Sequence, residues 1–310
     1  MKKKIFVALS TFSEHGSAPL ELLKGSGFDF SINMLGKRLG REEIVALGKD
    51  AEGIVAGVEP YDGFVIDHLP RLRCISRCGV GIDNIDAEKA SDKRIIIKNT
   101  PDAVIQPVVE LTIAMAFDLM RRLSRHTGLM RARRWHKEAG NLLFGKKVGI
   151  LGLGRIGKRV AEVMLKLGTE VYGTDLRPDR TWADQAGVKI VSSVELLRTS
   201  DILTIHLSSI KEKPFRLGTD EIAAMKAGAF LINVSRGSVV DEMALYDALK
   251  IGRLAGAALD VFPEEPYAGK LCELDNMIMT PHVATLTKES RVQMEEEAVR
   301  NVIDCLKAEA

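Results

Sequence analysis

Between Lys147 and Asp175 the chain reads KVGILGLGRIGKRVAEVMLKLGTEVYGTD, and this stretch constrains the fold more than any other. Val148 to Leu151 is an apolar run too short for a helix and suited to a buried strand. Gly152, Gly154 and Gly157 follow in G-x-G-x-x-G spacing. A helical pattern comes next, with Val160, Val163, Met164 and Leu167 on one face, and Gly168 stops it. A second strand, Val171 to Thr174, ends at Asp175. The first glycine permits the tight turn out of the strand, the second lets a pyrophosphate approach the backbone, and the third lets helix and strand pack closely. The N–H groups and dipole at the helix N-terminus attract phosphates. Asp175, eighteen residues past Gly157, can accept hydrogen bonds from the adenosine ribose hydroxyls and would repel a 2′-phosphate. NAD is therefore expected over NADP, with Arg177 as a nearby cation that softens the preference.

The chain has 310 residues, 46% hydrophobic and 28% charged, enough for about two domains with ample core. A formal net charge of +2 exerts no global pull toward nucleic acid or an anionic membrane. No apolar run approaches the ~20 residues that span a bilayer. The start, MKKKIFVALS, is basic then apolar, but the run ends after Leu9, and Glu14 and His15 follow. It reads as a first strand rather than a signal peptide, and a cytoplasmic location is expected. Cys74, Cys78, Cys272 and Cys305 show neither metal-ligand spacing nor a disulfide framework; they read as buried free thiols, and no metal is expected.

Strands and helices alternate from the beginning. Strands are read at Ile5 to Leu9, Phe28 to Ile32, Gly53 to Ala56, Leu72 to Ser76 and Arg94 to Lys98, with helical patterns such as Arg41 to Gly48 between them. A second series follows the Lys147 unit, with strands at Val188 to Val191, Ile202 to His206, Phe230 to Val234, Ala255 to Leu259 and Met277 to Thr280. This alternation predicts an α/β protein with doubly wound parallel sheets covered on both faces. A helix over Asp102 to Arg122, capped by Asp102 with Pro107 in its opening, carries too much apolar surface for one exposed face and is expected to be buried between domains or subunits. After it come Arg121, Arg122, Arg125, Arg131, Arg133, Arg134 and Lys137. Apart from Trp135 they lack interleaved aromatics, so they read as a solvated or subunit-contacting face rather than a nucleic-acid patch. Glu289 to Leu306 is an amphipathic helix with a stripe of Val292, Glu296, Val299, Ile303 and Leu306.

The chemistry lies in segments that follow strands, where an open α/β sheet forms its ligand crevice. The loop Arg77-Cys78-Gly79-Val80-Gly81-Ile82-Asp83-Asn84 can expose backbone N–H groups to a carboxylate. Asn233-Val234-Ser235-Arg236-Gly237, Asp260-Val261-Phe262-Pro263-Glu264-Glu265-Pro266 and Pro281-His282 bring an arginine, acids and a histidine to the edge where the dinucleotide would lie. A guanidinium binds a 2-keto acid bidentately and polarises its carbonyl. An imidazole titrating near neutrality exchanges the proton, and a carboxylate beside it orients the ring and favours its charged form.

With these segments in view, the chain resembles the NAD-dependent D-isomer-specific 2-hydroxyacid dehydrogenases. That family includes D-3-phosphoglycerate dehydrogenase, hydroxypyruvate and glyoxylate reductases, formate dehydrogenase and D-lactate dehydrogenase. The resemblance covers nearly all of the chain through GVGIDNID (Gly79 to Asp86), NTP (Asn99 to Pro101), GLGRIG (Gly152 to Gly157), NVSRG (Asn233 to Gly237), LDVFPEEP (Leu259 to Pro266) and TPH (Thr280 to His282). It implies two Rossmann-like domains with a cleft between them: residues 1–100 plus 283–310 as a discontinuous substrate-binding domain, and residues 101–282 as the NAD-binding domain. The C-terminal helix would return to the first domain, and a homodimer is expected. It implies Arg236 on the substrate carboxylate and keto oxygen, His282 as acid/base and Glu265 as its partner. Gly152, Gly154, Arg155, Ile156, Gly157, Asp175, Val234, Ser235 and Asp260 would form the NAD site, with Arg155 and Ile156 on the pyrophosphate and Asp260 on the nicotinamide carboxamide. Arg77 and the Val80 and Gly81 N–H groups would contact the substrate.

Three positions depart from the family pattern: Ala284 replaces a usual glycine and is expected to crowd the nicotinamide side, His206-Leu207-Ser208 lacks a usual proline before an atypical Lys211 to Gly218, and Ile105 stands where many members have threonine. Ile75 to Asp86, ISRCGVGIDNID, matches the short phosphoglycerate-dehydrogenase-like branch best. Hydroxypyruvate or glyoxylate reduction is the alternative, because the loop Ala56 to Tyr61 holds Glu59 where a phosphate-binding base is expected, leaving Arg77 to supply positive charge. The chain's end near Ala310 carries the expectation that a C-terminal serine-binding domain, and its feedback, are absent. An alternative of another class is an NAD-sensing binding protein similar to the C-terminal-binding-protein corepressors. No direct nucleic-acid or membrane partner is expected.

Overall fold

The computed structural model describes residues 2–207 and 215–308; Ser208 and the first half of the atypical Lys211 to Gly218 stretch lie outside them. The chain divides into two compact units, Met1–Val104 with Thr285–Ala310, and Ile105–Ala284. The boundaries fall two to four residues beyond those read from the sequence.

In chain order the first unit carries β1 (Lys4–Val7), α1 (Ala18–Lys24), β2 (Asp29–Ile32), α2 (Arg41–Gly48), β3 (Gly53–Ala56), α3 (Gly63–Asp67), β4 (Cys74–Arg77), α4 (Ala87–Asp92) and β5 (Ile96–Asn99). The second carries α5 (Ile105–Arg121), α6 (Leu123–Arg131), β6 (Lys147–Leu151), α7 (Arg155–Lys166), β7 (Glu170–Thr174), α8 (Arg180–Ala186), β8 (Lys189–Ile190), α9 (Ser193–Thr199) and β9 (Ile202–Ile205). It continues with α10 (Thr219–Ala224), β10 (Ala229–Asn233), α11 (Glu242–Lys250), β11 (Leu254–Leu259) and β12 (Met277–Met279). The chain then returns to the first unit as α12 (Lys288–Ala308).

The smaller sheet is parallel, in the order β2-β1-β3-β4-β5, and the larger is parallel, in the order β12-β11-β10-β9-β6-β7-β8. Central strands such as β3 and β9 are buried along their whole length, which is why they read as continuous apolar runs rather than alternating ones. Helices begin where a side chain satisfies an orphan N–H: Asp86 accepts from Lys89, and Asp241 accepts from Met243 and Ala244. In the larger sheet the connections reverse direction between β6 and β9, so the carboxyl ends of those two strands frame the topological switch point.

Four expectations are corrected. The helix after Thr100 begins at Ile105, three residues beyond Asp102, with Pro107 in its first turn. Its apolar face is not reserved for another unit: Val108, Val109, Met115, Ala116 and Met120 are buried in one hydrophobic cluster with Val160, Ala161 and Met164 of α7. In α12 the polar residue on the buried face is Glu295, not Glu296. Met294, Glu295, Ala298, Val299, Val302 and Leu306 are buried, and Glu295 is stabilised there by Arg291 at 2.7 Å and by the Ser13 N–H at 2.8 Å. The helix lies so close to β3 that a Cβ on Gly53 would sit 2.6 Å from Val302 Cγ1. Among the cysteines, Cys74, Cys78 and Cys305 are buried free thiols, whereas Cys272 is exposed.

Arg122 and Arg125 of the basic stretch pair with Glu138, and Arg125 also reaches Asp275, so part of that charge is answered locally. Among the described residues no helix is long and apolar enough to cross a membrane, and no group of three or more His, Cys, Asp or Glu is placed to hold a metal ion.

Candidate active site

The dinucleotide turn is built at the switch point. Gly152 leaves β6 with φ +98°, a conformation costly for a residue with a Cβ. A Cβ there would also lie 2.7 Å from the His206 carbonyl oxygen at the end of β9. Gly157 is the tightest of the three glycines of this turn: an added Cβ would meet the Gly152 carbonyl oxygen at 1.9 Å. Gly154 occupies the N-cap of α7 and faces open space, so the backbone at the helix start is accessible to a phosphate group. Arg155 and Ile156 form the first residues of α7. Asp175 ends the second strand and closes the motif on itself. Its Oδ2 accepts from the Leu153 N–H at 2.8 Å and its Oδ1 from the Arg177 N–H at 2.9 Å. A carboxylate has about four acceptor positions, so ribose hydroxyls can still be bound. The cradle, the accessible helix start and the terminal acid fit a dinucleotide.

Three loops at the carboxyl ends of β10, β11 and β12 are stitched together. Asn233, fully buried, organises the first: its Oδ1 accepts from the Ser235 N–H and hydroxyl at 3.0 and 2.7 Å, and its Nδ2 donates to the Arg236 carbonyl at 2.9 Å. Val234 and Ser235 are buried, and Arg236 is partly exposed, with Nη1 donating to the Ser235 carbonyl at 2.8 Å. Gly237 allows the next loop to approach: a Cβ there would lie 2.0 Å from the Phe262 carbonyl carbon.

The second loop supplies two acids with different tasks. Asp260 is 0% exposed. Its Oδ1 accepts from the Thr280 hydroxyl at 2.5 Å and the Val283 N–H at 2.8 Å, and its Oδ2 from the Ala284 N–H at 2.9 Å. The carboxylate thus holds the backbone on both sides of His282, which has φ +54°. Ala284 is buried in the hydrophobic cluster shared with α5 and α7, where packing absorbs its methyl group. Glu265 accepts from the Phe262 N–H through Oε1 at 3.1 Å and meets His282 Nδ1 through Oε2 at 2.9 Å. With Nδ1 engaged, Nε2 is the ring nitrogen presented for proton exchange.

Sequence reasoning singled out Arg236, Glu265 and His282, and it missed two residues. Asn233 was visible only as the start of a motif. His206 was visible only as a strand end; it lies beside the Gly152 turn, its Nε2 meets Thr204 Oγ1 at 2.9 Å, and burial pushes its pKa down to about 3.

In the smaller unit, the Arg77–Asn84 loop follows β4. Gly79 donates to Thr100 Oγ1 at 2.7 Å and accepts from the Thr100 N–H at 3.0 Å, while the Val80 carbonyl accepts from Asn99 Nδ2 at 2.8 Å. This bracing uses Gly79 and the Val80 carbonyl and leaves the Val80 and Gly81 N–H groups out of it. The Arg77 guanidinium is folded back over Gly79, where a Cβ would lie 1.6 Å from Nη1.

Residues 113–284 match the family model of the D-isomer specific 2-hydroxyacid dehydrogenase, NAD binding domain. A D-3-phosphoglycerate dehydrogenase of Methanocaldococcus jannaschii is 38% identical over 82% of this chain and 49% of its own length. A glyoxylate reductase of Thermococcus gammatolerans is 33% identical over 98% of this chain and 92% of its own. Among solved structures, D-lactate dehydrogenase from Aquifex aeolicus complexed with NAD and lactic acid superposes with a TM-score of 0.85 at 30% identity, covering 99% of this chain and 96% of that one. The chain belongs to the D-isomer specific 2-hydroxyacid dehydrogenase family, and NAD is the cofactor of the domain it shares with that family. It spans about half the length of the phosphoglycerate dehydrogenases it matches.

Proposed function

We propose that this protein is an NAD-dependent oxidoreductase that interconverts a small D-2-hydroxy acid and its 2-keto acid. The observation that carries the reading is the His282 Nδ1–Glu265 Oε2 pair at 2.9 Å, set beside the Arg236 loop in the unit with the dinucleotide turn. Held at the Gly152 to Gly157 turn and by Asp175, NADH would supply the hydride for C2. Arg236 binds the substrate carboxylate and polarises the keto oxygen. His282 gives its Nε2 proton to that oxygen as it gains charge, and Glu265 holds the ring in place and stabilises the imidazolium from which the proton leaves. In the reverse direction His282 takes the hydroxyl proton. Asp260 and Asn233 hold the segments that carry these groups. Asp175 receives the adenosine ribose. In the smaller unit Arg77 and the Val80 and Gly81 N–H groups bind substrate oxygens.

For the substrate, a 3-phosphoglycerate-type acid is supported by the Ile75 to Asp86 motif and the similarity to D-3-phosphoglycerate dehydrogenases. Hydroxypyruvate or glyoxylate is favoured by Glu59 in the loop after β3 and by the similarity to glyoxylate reductases. Arg236→Ala tests the assignment: turnover with any 2-keto acid should fall by about 10³-fold or more, as for loss of a charged transition-state contact, while NADH still binds. Retained kcat/KM would sink it.

A further inference from the structure

A carboxyl group with no part in the proton transfer is buried at the carboxyl edge of the smaller sheet. Glu59, in the loop after β3, is 3% exposed. Its Oε2 accepts from the Gly57 N–H at 2.7 Å. A Cβ on Gly57 would lie 3.0 Å from both carboxylate oxygens, so the side chain is tucked beneath its own loop. Asn84 holds the loop from the next one along, donating to the carbonyls of Gly57 and Glu59 at 3.1 and 2.6 Å. The neighbour on one side is Tyr61, fully buried, with a hydroxyl that has no hydrogen-bond partner among the described residues and feels the Glu59 charge.

Burial pushes the Glu59 pKa up; the Glu59 and Gly57 N–H groups pull it back down, and the charges of Arg38 and Arg77 add to that. Arg38 comes from the loop after β2 and donates to the Val58 carbonyl. Arg77 is the register partner of Ala56, so its side chain leaves the sheet alongside the Glu59 loop. A glutamine would accept the Gly57 N–H equally well at a smaller desolvation cost. What only glutamate supplies is a negative charge within electrostatic reach of Arg77.

We infer that Glu59 is a positioning residue for Arg77 and sets the substrate's charge class: by offsetting that cation it favours 2-keto acids with an uncharged C3 substituent over phosphorylated ones. The inference rests on the reading of Arg77 as a substrate contact. A phosphate brings about −1.5 to −2 charges toward a pair that is nearly neutral, and the attraction an isolated arginine would exert is largely cancelled.

The test compares initial rates of NADH oxidation with hydroxypyruvate and 3-phosphohydroxypyruvate for the wild type, Glu59→Gln, Arg77→Gln and the double variant. One unit charge acting on a phosphate over roughly 8–10 Å at an effective dielectric near 20 changes affinity by at least about tenfold. Glu59→Gln should therefore raise the kcat/KM ratio of the phosphorylated over the unphosphorylated acid by about that factor, through KM rather than kcat. Arg77→Gln should lower it to a similar extent, and the double variant should return near the wild-type ratio. A purely structural role for Glu59 would change both substrates together. A ratio unmoved within about twofold in Glu59→Gln, or both single variants shifting it the same way, would overturn the inference while leaving the dehydrogenase reading intact. Should Glu59→Gln not fold, an unchanged ratio in Arg77→Gln overturns the inference equally. A wild type that oxidises NADH with neither acid defeats the dehydrogenase reading, and the inference with it.

Discussion

Replacing Asp260 with asparagine tests how the histidine segment is held. The two side chains have nearly the same shape, so the substitution alters hydrogen bonding without opening a cavity. In the native protein the carboxylate accepts three hydrogen bonds, from the Thr280 hydroxyl and from the Val283 and Ala284 N–H groups. An asparagine can keep its oxygen toward Thr280 and Val283, but its amide nitrogen then faces the Ala284 N–H, donor against donor. One bond to a charged acceptor is lost, worth about 1.5–3 kcal/mol, and a buried N–H is left unsatisfied, at a cost of about 1–3 kcal/mol. A net loss of about 3 kcal/mol in a unit of this size lowers its melting temperature by roughly 6–12 °C. His282 has φ +54°, a conformation that costs about 1–3 kcal/mol for a residue other than glycine and persists only where the surroundings enforce it. Releasing one side of it should shift the imidazole, and misplacement by about 1 Å costs on the order of 10²-fold in rate. Thermal unfolding and kcat for Asp260→Asn are the assays. A variant that melts within about 1 °C of the wild type and keeps its kcat would refute the idea that Asp260 holds the histidine segment.

Two further outcomes follow from the same geometry. Asp175→Ser removes the charge that opposes a 2′-phosphate, with Arg177 close by, so the NADPH-to-NADH ratio of kcat/KM should rise by at least about tenfold; an unchanged ratio would mean that discrimination lies elsewhere. His206, held near pKa 3 against a usual 6.5, favours the folded state fully above pH 6.5, and that contribution is lost as the pH falls from 6.5 toward 3. Between pH 7 and pH 5 the wild type should lose roughly 2 kcal/mol more stability than His206→Gln, measured by urea unfolding; parallel profiles would contradict the burial argument.

Much of the fold was legible because its strands are buried on both faces and its glycines have mechanical tasks. Apolar runs such as Ile202 to Ile205 cannot be exposed, and Gly152 and Gly157 occupy positions where a Cβ collides with backbone. What was not legible depends on partners distant in the chain. Hydrophobic periodicity cannot tell that Glu295 rather than Glu296 turns inward, since Arg291 and Ser13 make that burial tolerable. An acid in a loop reads as solvent-facing, yet Glu59 lies inside because Gly57 offers it an N–H and two arginines approach. Asp260 and Glu265 are close in sequence and both acidic. The family resemblance already names Glu265 as the partner of the His282 ring; that Asp260 braces the backbone around His282 is visible only in the structure.

The most direct test of the account is NADH oxidation by the purified protein with 3-phosphohydroxypyruvate, hydroxypyruvate, glyoxylate and pyruvate, each run beside His282→Gln. Turnover of at least one of these acids, lost by 10³-fold or more in His282→Gln as expected for removal of an acid/base group together with its charge, is the predicted result. No oxidation with any of them, or rates that the variant keeps, would contradict the assignment of His282, Glu265 and Arg236 to hydride-coupled proton transfer.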